Sequence, residues 1–291
     1  MSLTSAEFTG VSGLLSNAQA LSVIGNNISN SNTVGFKSGT TLFADLLSQN
    51  IGNNSQVGTG VKVQSINNNF AQGSLESTTN VTDLTIQGSG FFVLGGPTAA
   101  AGTAVPPLSA YYTRAGSFQL DKSGLGLVNP DGYKVLDAAG KPIVFAATDG
   151  GGTPKSFQKV VGVDSTGVIS LLYADASGNT STLYYAGAGT TPTATYASAV
   201  QIAEGIVPNP QGMLKQGGTL FTASSATSGT PTLTYANGAS EKVLSNELEL
   251  SNVDMATELV NMLTTQRAYS ANSKTITTAD QMVQTVLGLV Q

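Results

Sequence analysis

All ten prolines of this 291-residue chain lie between Pro97 and Pro231. Proline breaks helix interiors, because its ring clashes with the preceding turn and it has no N–H to donate. Long helices are therefore permitted at both ends of the chain and not in the middle. Glycine agrees. After Gly238 only Gly288 remains, whereas the centre is punctuated by turn sequences such as Asp131-Gly132 and Ser177-Gly178-Asn179,. The pattern reads helix, β-rich centre, helix: an α+β chain of more than one domain.

The N-terminal helix is expected from about Ser5 to Asn30. Val11, Leu14, Ala18, Leu21, Gly25 and Ile28 recur at alternating spacings of three and four, a heptad seam,. Ser29-Asn30-Ser31-Asn32 then compete for backbone bonds and stop it,. The C-terminal helix is expected over 253–290, with Ser251 as its cap in the run Ser251-Asn252-Val253-Asp254,. Met255, Met262, Tyr269, Ile276, Val283 and Val290 recur every seven residues, and Leu259, Leu263 and Ala279 widen the stripe. Such a helix is about 57 Å long at 1.5 Å per residue. It needs a partner of similar length, and the N-terminal helix offers one, with Leu14, Leu21 and Ile28 facing Ile276, Val283 and Val290 in a coiled coil. The rest of its surface is polar but almost uncharged, with Arg267, Lys274 and Asp280 the exceptions. Solvent-facing helices carry more charge; a neutral polar face suits packing against identical neighbours.

The centre reads as short strands: Asp83–Gln87, Phe91–Leu94, Tyr111–Asp121, Val160–Val163, Val168–Tyr173, Leu183–Tyr185 and Ala199–Ala203,. Residues 33–80 differ in composition. A turn at Thr33–Gly39, a short helical piece over Leu42–Leu47 and a hairpin-like stretch from Val61 to Phe70 are expected within an extended connector. The resulting domains are 1–32 with 251–291 (helical), 33–80 (connector) and 81–250 (β-rich, without a large further insertion).

Composition removes most catalytic chemistry. Histidine, cysteine and tryptophan are all absent, so there is no imidazole base, thiolate nucleophile, disulfide, or His or Cys metal site. A net charge of −5 argues against a nucleic-acid binder,. Gly150-Gly151-Gly152-Thr153-Pro154-Lys155 lacks the ending of a phosphate loop and reads as a hairpin tip,. The acidic group Glu247, Glu249, Asp254 and Glu258 reads as two strand residues and two helix-start residues; Arg114 and Arg267 read as structural ion-pair partners. No catalytic, cofactor-binding or metal residue is expected. Met1 to Phe36 holds one charge, Glu7, and no apolar run of the roughly 7–15 residues a secretory signal needs,. No stretch approaches the roughly 20 apolar residues of a membrane span.

Both ends resemble the bacterial flagellar axial proteins, the family of rod, hook and hook-associated subunits. The N-terminal resemblance runs from Leu21 through Asn26, Asn27, Asn30, Gly35, Phe36 and Lys37 to Gly39. At the C-terminus it takes in Leu250, Ser251, Asn252, Val253 and Asp254, then Glu258–Met262 and Gln266-Arg267-Ala268-Tyr269. Gly88–Val93 and Tyr112–Phe118 are similar to the family's inner β domain. Gly35–Gly39 followed by Phe43-Ala44-Asp45, and a short spacer after Leu46, look most like a hook subunit. The overall size is that of a distal-rod subunit, which is the alternative.

The resemblance implies a structural, non-enzymatic role: subunits exported unfolded through a flagellar type III apparatus without a cleaved signal, assembling outside the cell into a helical tube of the hook or basal body. A hook would be a flexible universal joint passing torque to the filament. Implied partners are further copies of the chain and the distal-rod, hook-cap and hook–filament junction proteins, with no nucleic acid and no membrane insertion. The implied self-assembly residues are Leu14, Leu21, Ile28, Leu259, Met262, Tyr269, Ile276, Val283 and Val290 on the inner helices. A reading from another class is a secreted enzyme or adhesin carried on a helical stalk.

Overall fold

A computed structural model describes residues 3–52, 55–151 and 154–289. Val290 of the expected seam, Asn53-Asn54 of the connector and Gly152-Thr153 of the glycine run lie outside them. The chain divides into two compact units. One holds the described residues of 1–31, 37–69 and 253–291; the other holds 32–36 with 70–252. Among the described residues no helix is long and apolar enough to cross a membrane.

The first unit is built on two helices, α1 (Leu3–Ser29) and α2 (Met255–Leu289). They run antiparallel, since Gly10 lies against Ile276, Gly13 against Asn272, and Asn27 bonds to Glu258. The start of α2 departs from expectation. Asp254, not Ser251, is the cap: its Oδ1 accepts from the Ala256 N–H at 3.1 Å and its Oδ2 from the Thr257 hydroxyl at 2.6 Å. The cause lies upstream. Leu250 N–H donates to Ser74 and Asn252 N–H to Phe36, so this backbone is committed elsewhere until residue 253.

Residues 42–47 also depart from expectation. Gly39–Asp45 is a strand, laddered antiparallel with Val61–Asn68 from Gly39↔Asn68 to Asp45↔Val61, with a register shift between Leu42 and Phe43. A six-residue helix has too few internal bonds to persist, whereas the alternating Val61-Lys62-Val63-Gln64-Ser65-Ile66 supplies a complete ladder. The loop between them carries a smaller ladder, Gln49–Gly52 with Ser55–Val57. The ladder docks on α1 through backbone: Ser12 accepts from Val61 N–H and Ser16 donates to Val61 carbonyl. Residues 37–69 thus belong with the helices, and 70–80 with the β unit.

The second unit centres on a nine-stranded sheet in which Phe91–Gly95 is the axis, pairing with Tyr111–Thr113, Lys134–Val135 and Glu204–Ile206. This strand is a continuous apolar run because both faces are covered. Phe92 and Leu94 enter one cluster with Leu84, Ile86, Phe118 and Leu127; Phe91 and Val93 enter another with Tyr112, Val207 and Phe221. A three-stranded meander, Ser156–Val163, Ile169–Ala174 and Thr180–Tyr184, closes the first cluster with Ile169, Leu171 and Tyr173. Of the expected strands, Ala199–Ala203 is displaced: Gln201 and Ile202 make isolated bridges, and the laddered strand is Glu204–Ile206.

One four-residue template makes five turns of the β unit. Asp121, Asn129, Asp137, Asp164 and Asp175 each accept, at the main-chain carbonyl, from the N–H of a glycine three residues on (Gly124, Gly132, Gly140, Gly167 and Gly178). Those glycines have φ between 72° and 83°, a region that side-chain-bearing residues rarely occupy. The acidic or amide side chain then closes the turn, as when Asp175 accepts from Ser177 and Asn179 N–H at 2.9 and 2.8 Å,. The Asn179 N–H also holds the Asp175 carboxyl below its usual range.

Candidate assembly surface

The face that joins α1 to α2 is made of small residues. Gly10, Gly13, Ser16 and Ala20 are buried along one row of α1. A methyl group at Gly10 would meet Ile276 Cγ1 at 2.9 Å, and one at Gly13 would meet Asn272 Nδ2 at 2.7 Å. With so little side chain between them the backbones come close, and the larger residues flank the contact. Leu14, Leu21 and Ile28 are half-buried, as are Met262, Ile276 and Val283. The antiparallel register sets Ile276 against Gly10, and it carries Val283 towards the first residues of α1. Leu14 and Leu21 therefore do not face Ile276 and Val283 pair by pair. The row of small residues is legible in the sequence as Gly-x-x-Gly-x-x-Ser-x-x-x-Ala, a signal that a search for large apolar repeats passes over.

Much apolar surface stays uncovered. Phe8 is 73% exposed and Leu15 60%, with Val11 between them on the same side of α1. On α2, Leu259, Val260, Leu263, Tyr269, Val286 and Leu287 are exposed. The polar residues beside them are internally satisfied. Thr264, Thr265, Thr275, Thr277, Thr278 and Thr285 all donate to helix carbonyls three or four residues back. A hydroxyl already bonded to its own helix loses little when covered, whereas an unpaired one is costly to bury. Gln266 and Arg267 are exposed on the same helix.

The motif residues hold backbone rather than present chemistry. Asn27 is buried; its amide donates to the Gly39 carbonyl at 2.8 Å and accepts from the Gly39 N–H at 2.9 Å, pinning the strand that follows the turn. Asn30 closes α1 by donating to the Asn26 carbonyl at 2.9 Å. Lys37 is buried and Val253 half-buried. In the β unit, Gly35 has φ 67°, and its N–H donates to the Glu249 carbonyl at 2.7 Å. A methyl there would overlap the Ala115 backbone. The Phe36 ring lies under the Lys215 ammonium at 4.9 Å,. Asn252 donates its side-chain amide to the Ala71 carbonyl.

The β unit is locked around Arg114, which is 2% exposed. Its guanidinium meets Glu249 at 3.4 Å, donates to the Ile86 and Gly88 carbonyls, and lies 5.0 Å from the Phe91 ring centre. Glu249 also accepts from Gly73 N–H at 2.8 Å. Of the acidic group in the sequence, Glu249 is thus an ion-pair partner, Asp254 a helix cap, and Glu258 a bond to Asn27. Asp149 organises the glycine-rich tip, accepting from Gly151 and Lys155 N–H.

Two terminal helices of this kind around a β-rich centre match the models of axial structural proteins of the bacterial flagellum along most of the chain. Residues 9–37 match the flagella basal body rod protein family, 85–171 the flagellar hook protein FlgE/F/G D1 domain, and 244–289 the flagellar basal body rod FlgEFG protein C-terminal family. The flagellar basal-body rod protein FlgG of Bacillus subtilis is 34% identical over 97% of both chains, and that of Borreliella burgdorferi 30% identical over 96% of both. The flagellar hook protein FlgE of Treponema pallidum is 39% identical, over 47% of this chain and 31% of its own. The chain belongs to the flagellar rod and hook family.

Proposed function

We propose that this protein is a distal-rod subunit of the flagellar basal body, rather than the hook subunit that its Gly35–Gly39 and Phe43–Asp45 segments suggest. The observation that carries this reading is length-wide similarity: the rod proteins align over 91–97% of their own chains, the hook proteins over about a third of theirs. The reading is further supported by the β unit, in which the described residues of 70–252, with 32–36, form one compact unit. The hook remains the second reading because identity is higher, 36–39%, over the half of this chain that hook proteins match.

In this proposal copies of the chain associate through the helical unit, with α1 and α2 paired as a coiled coil lining a tube. Leu14, Leu21, Ile28, Leu259, Met262, Tyr269, Ile276, Val283 and Val290 act from these helices, and the exposed Phe8, Leu15, Leu263 and Leu287 add to the surface that neighbours cover. Burying one such side chain contributes roughly 1.5–3 kcal/mol. The subunits are exported through the type III apparatus without loss of a signal and meet neighbouring rod and hook components. The test is cryo-electron microscopy of polymer grown from purified protein. Straight, stiff tubes are expected; curved tubes return the hook reading, and no polymer under any condition removes both.

A further inference from the structure

Three carboxylates surround a single guanidinium in the β unit. Glu249 takes the ion pair with Arg114. Glu204 and Glu241 are the other two, one at each end of the Gly88-Ser89-Gly90 turn. The Glu241 side chain lies over Gly88, and that of Glu204 lies against Gly90, where a methyl group would overlap its carboxyl. Ser89 donates to Glu241 at 2.9 Å. Glu204 is 1% exposed, and neither of its carboxylate oxygens has a hydrogen-bond partner.

The groups that face Glu204 can be named. Phe92 stands opposite on the axial strand, Thr234 donates to its main-chain carbonyl from the neighbouring strand, and the charged groups are Arg114 and Glu241. A buried carboxylate without a donor is costly; the two terminal nitrogens of Arg114 are engaged by Glu249 and two carbonyls, and its Nε, which has no hydrogen-bond partner, makes no bond to Glu204. Protonated, Glu204 would instead have a hydrogen to give, and the Glu241 carboxylate is the adjacent acceptor.

We propose that Glu204 and Glu241 form a carboxylic acid–carboxylate latch: a proton held between them fastens the 237–241 turn to the 88–90 turn, and loss of that proton loosens the junction. Asn237 makes the moving part a unit, since its side-chain Oδ1 accepts from the N–H groups of Ala239, Ser240 and Glu241. Burial first, and then the Glu241 charge, raises the Glu204 carboxyl from 4.5 to about 7. The folded chain therefore binds this proton more tightly than the unfolded chain. Its contribution to stability is fully present below the unfolded value, declines as pH rises from about 4.5 to about 7, and is gone above that.

The test uses the full chain, dilute enough to stay monomeric. Carboxyl titration by carbon-13 NMR is expected to show one glutamate with a midpoint near neutral, absent in Glu204→Gln. The melting temperature of the wild type is expected to fall by on the order of 5 °C between about pH 5 and pH 7 relative to Glu204→Gln. Glu241→Gln is expected to lower the midpoint by removing the neighbouring charge. A wild-type spectrum in which every glutamate titrates below about pH 5.5 overturns the latch without any variant, as do parallel melting profiles of wild type and Glu204→Gln.

Discussion

The two units solve the same problem in opposite ways. In the β unit the strand Phe91–Gly95 is wholly buried, and even an arginine is enclosed with its partner. In the helical unit the closest contact is made by glycines, while Phe8, Leu15 and Leu287 stand open. One region completes its core from its own residues. The other spends its smallest residues on internal packing and keeps its largest on the outside. A chain needing only stability would reverse that choice on the helices, since apolar area removed from water is the main stabilising term in folding. The difference therefore separates a part that covers its apolar residues from a part that leaves large ones exposed.

Arg114→Ala tests the self-contained half most severely. It takes the guanidinium away from the buried Glu249 and worsens the position of Glu204, and breaking a buried pair in this way costs about 3–5 kcal/mol. Denaturant unfolding of the monomer is expected to show a loss of that size. A loss below about 1 kcal/mol would mean that the ion pair is incidental and that the contrast between the units is overstated. Gly13→Leu acts on the other half. Overpacking the close helix contact costs roughly 1–3 kcal/mol, so hydrogen exchange in α1 and α2 should rise while amides of the 91–95 strand keep their protection. Loss of protection in both units together would show that they do not behave independently. Leu15→Ser is the mildest change for the monomer, expected within about 0.5 kcal/mol of wild type because the side chain is exposed. Yet sedimentation should show weakened polymerisation. Unchanged polymer would leave the open stripe of α1 without a role in assembly.

How far the sequence disclosed this arrangement depended on the range of the deciding interaction. The terminal helices and the 91–95 strand were legible because proline placement and apolar periodicity act locally. The turn template was visible in part, through its Asp-Gly and Ser-Gly pairs. The helical piece expected over Leu42–Leu47 does not form because the strand Gly39–Asp45 is decided by Val61–Asn68, some twenty positions on. The cap of α2 was misplaced for a related reason. Ser251 and Asp254 are both competent, and the choice between them falls to bonds made by Leu250 and Asn252 with Ser74 and Phe36. Large residues carry the visible heptad repeat of the helices, whereas their close approach falls on the small ones. Arg114 was correctly read as an ion-pair partner, but that Glu204 is buried beside it without a hydrogen-bond partner could not be inferred, because ninety residues separate them in the chain.

The Arg114–Glu249 pair also bears on timing. A chain made from its N-terminus can close each of the five Asx–glycine turns as soon as four residues are free, so hairpins form early and repeatedly. The strand at Leu75–Ser77 and the Arg114 guanidinium must nevertheless wait for Glu247–Glu249, after which α2 is the next element to be made. The pairings of the 91–95 strand need nothing beyond residue 206, whereas the tie at Arg114 is completed only by Glu249, near the end of the β unit.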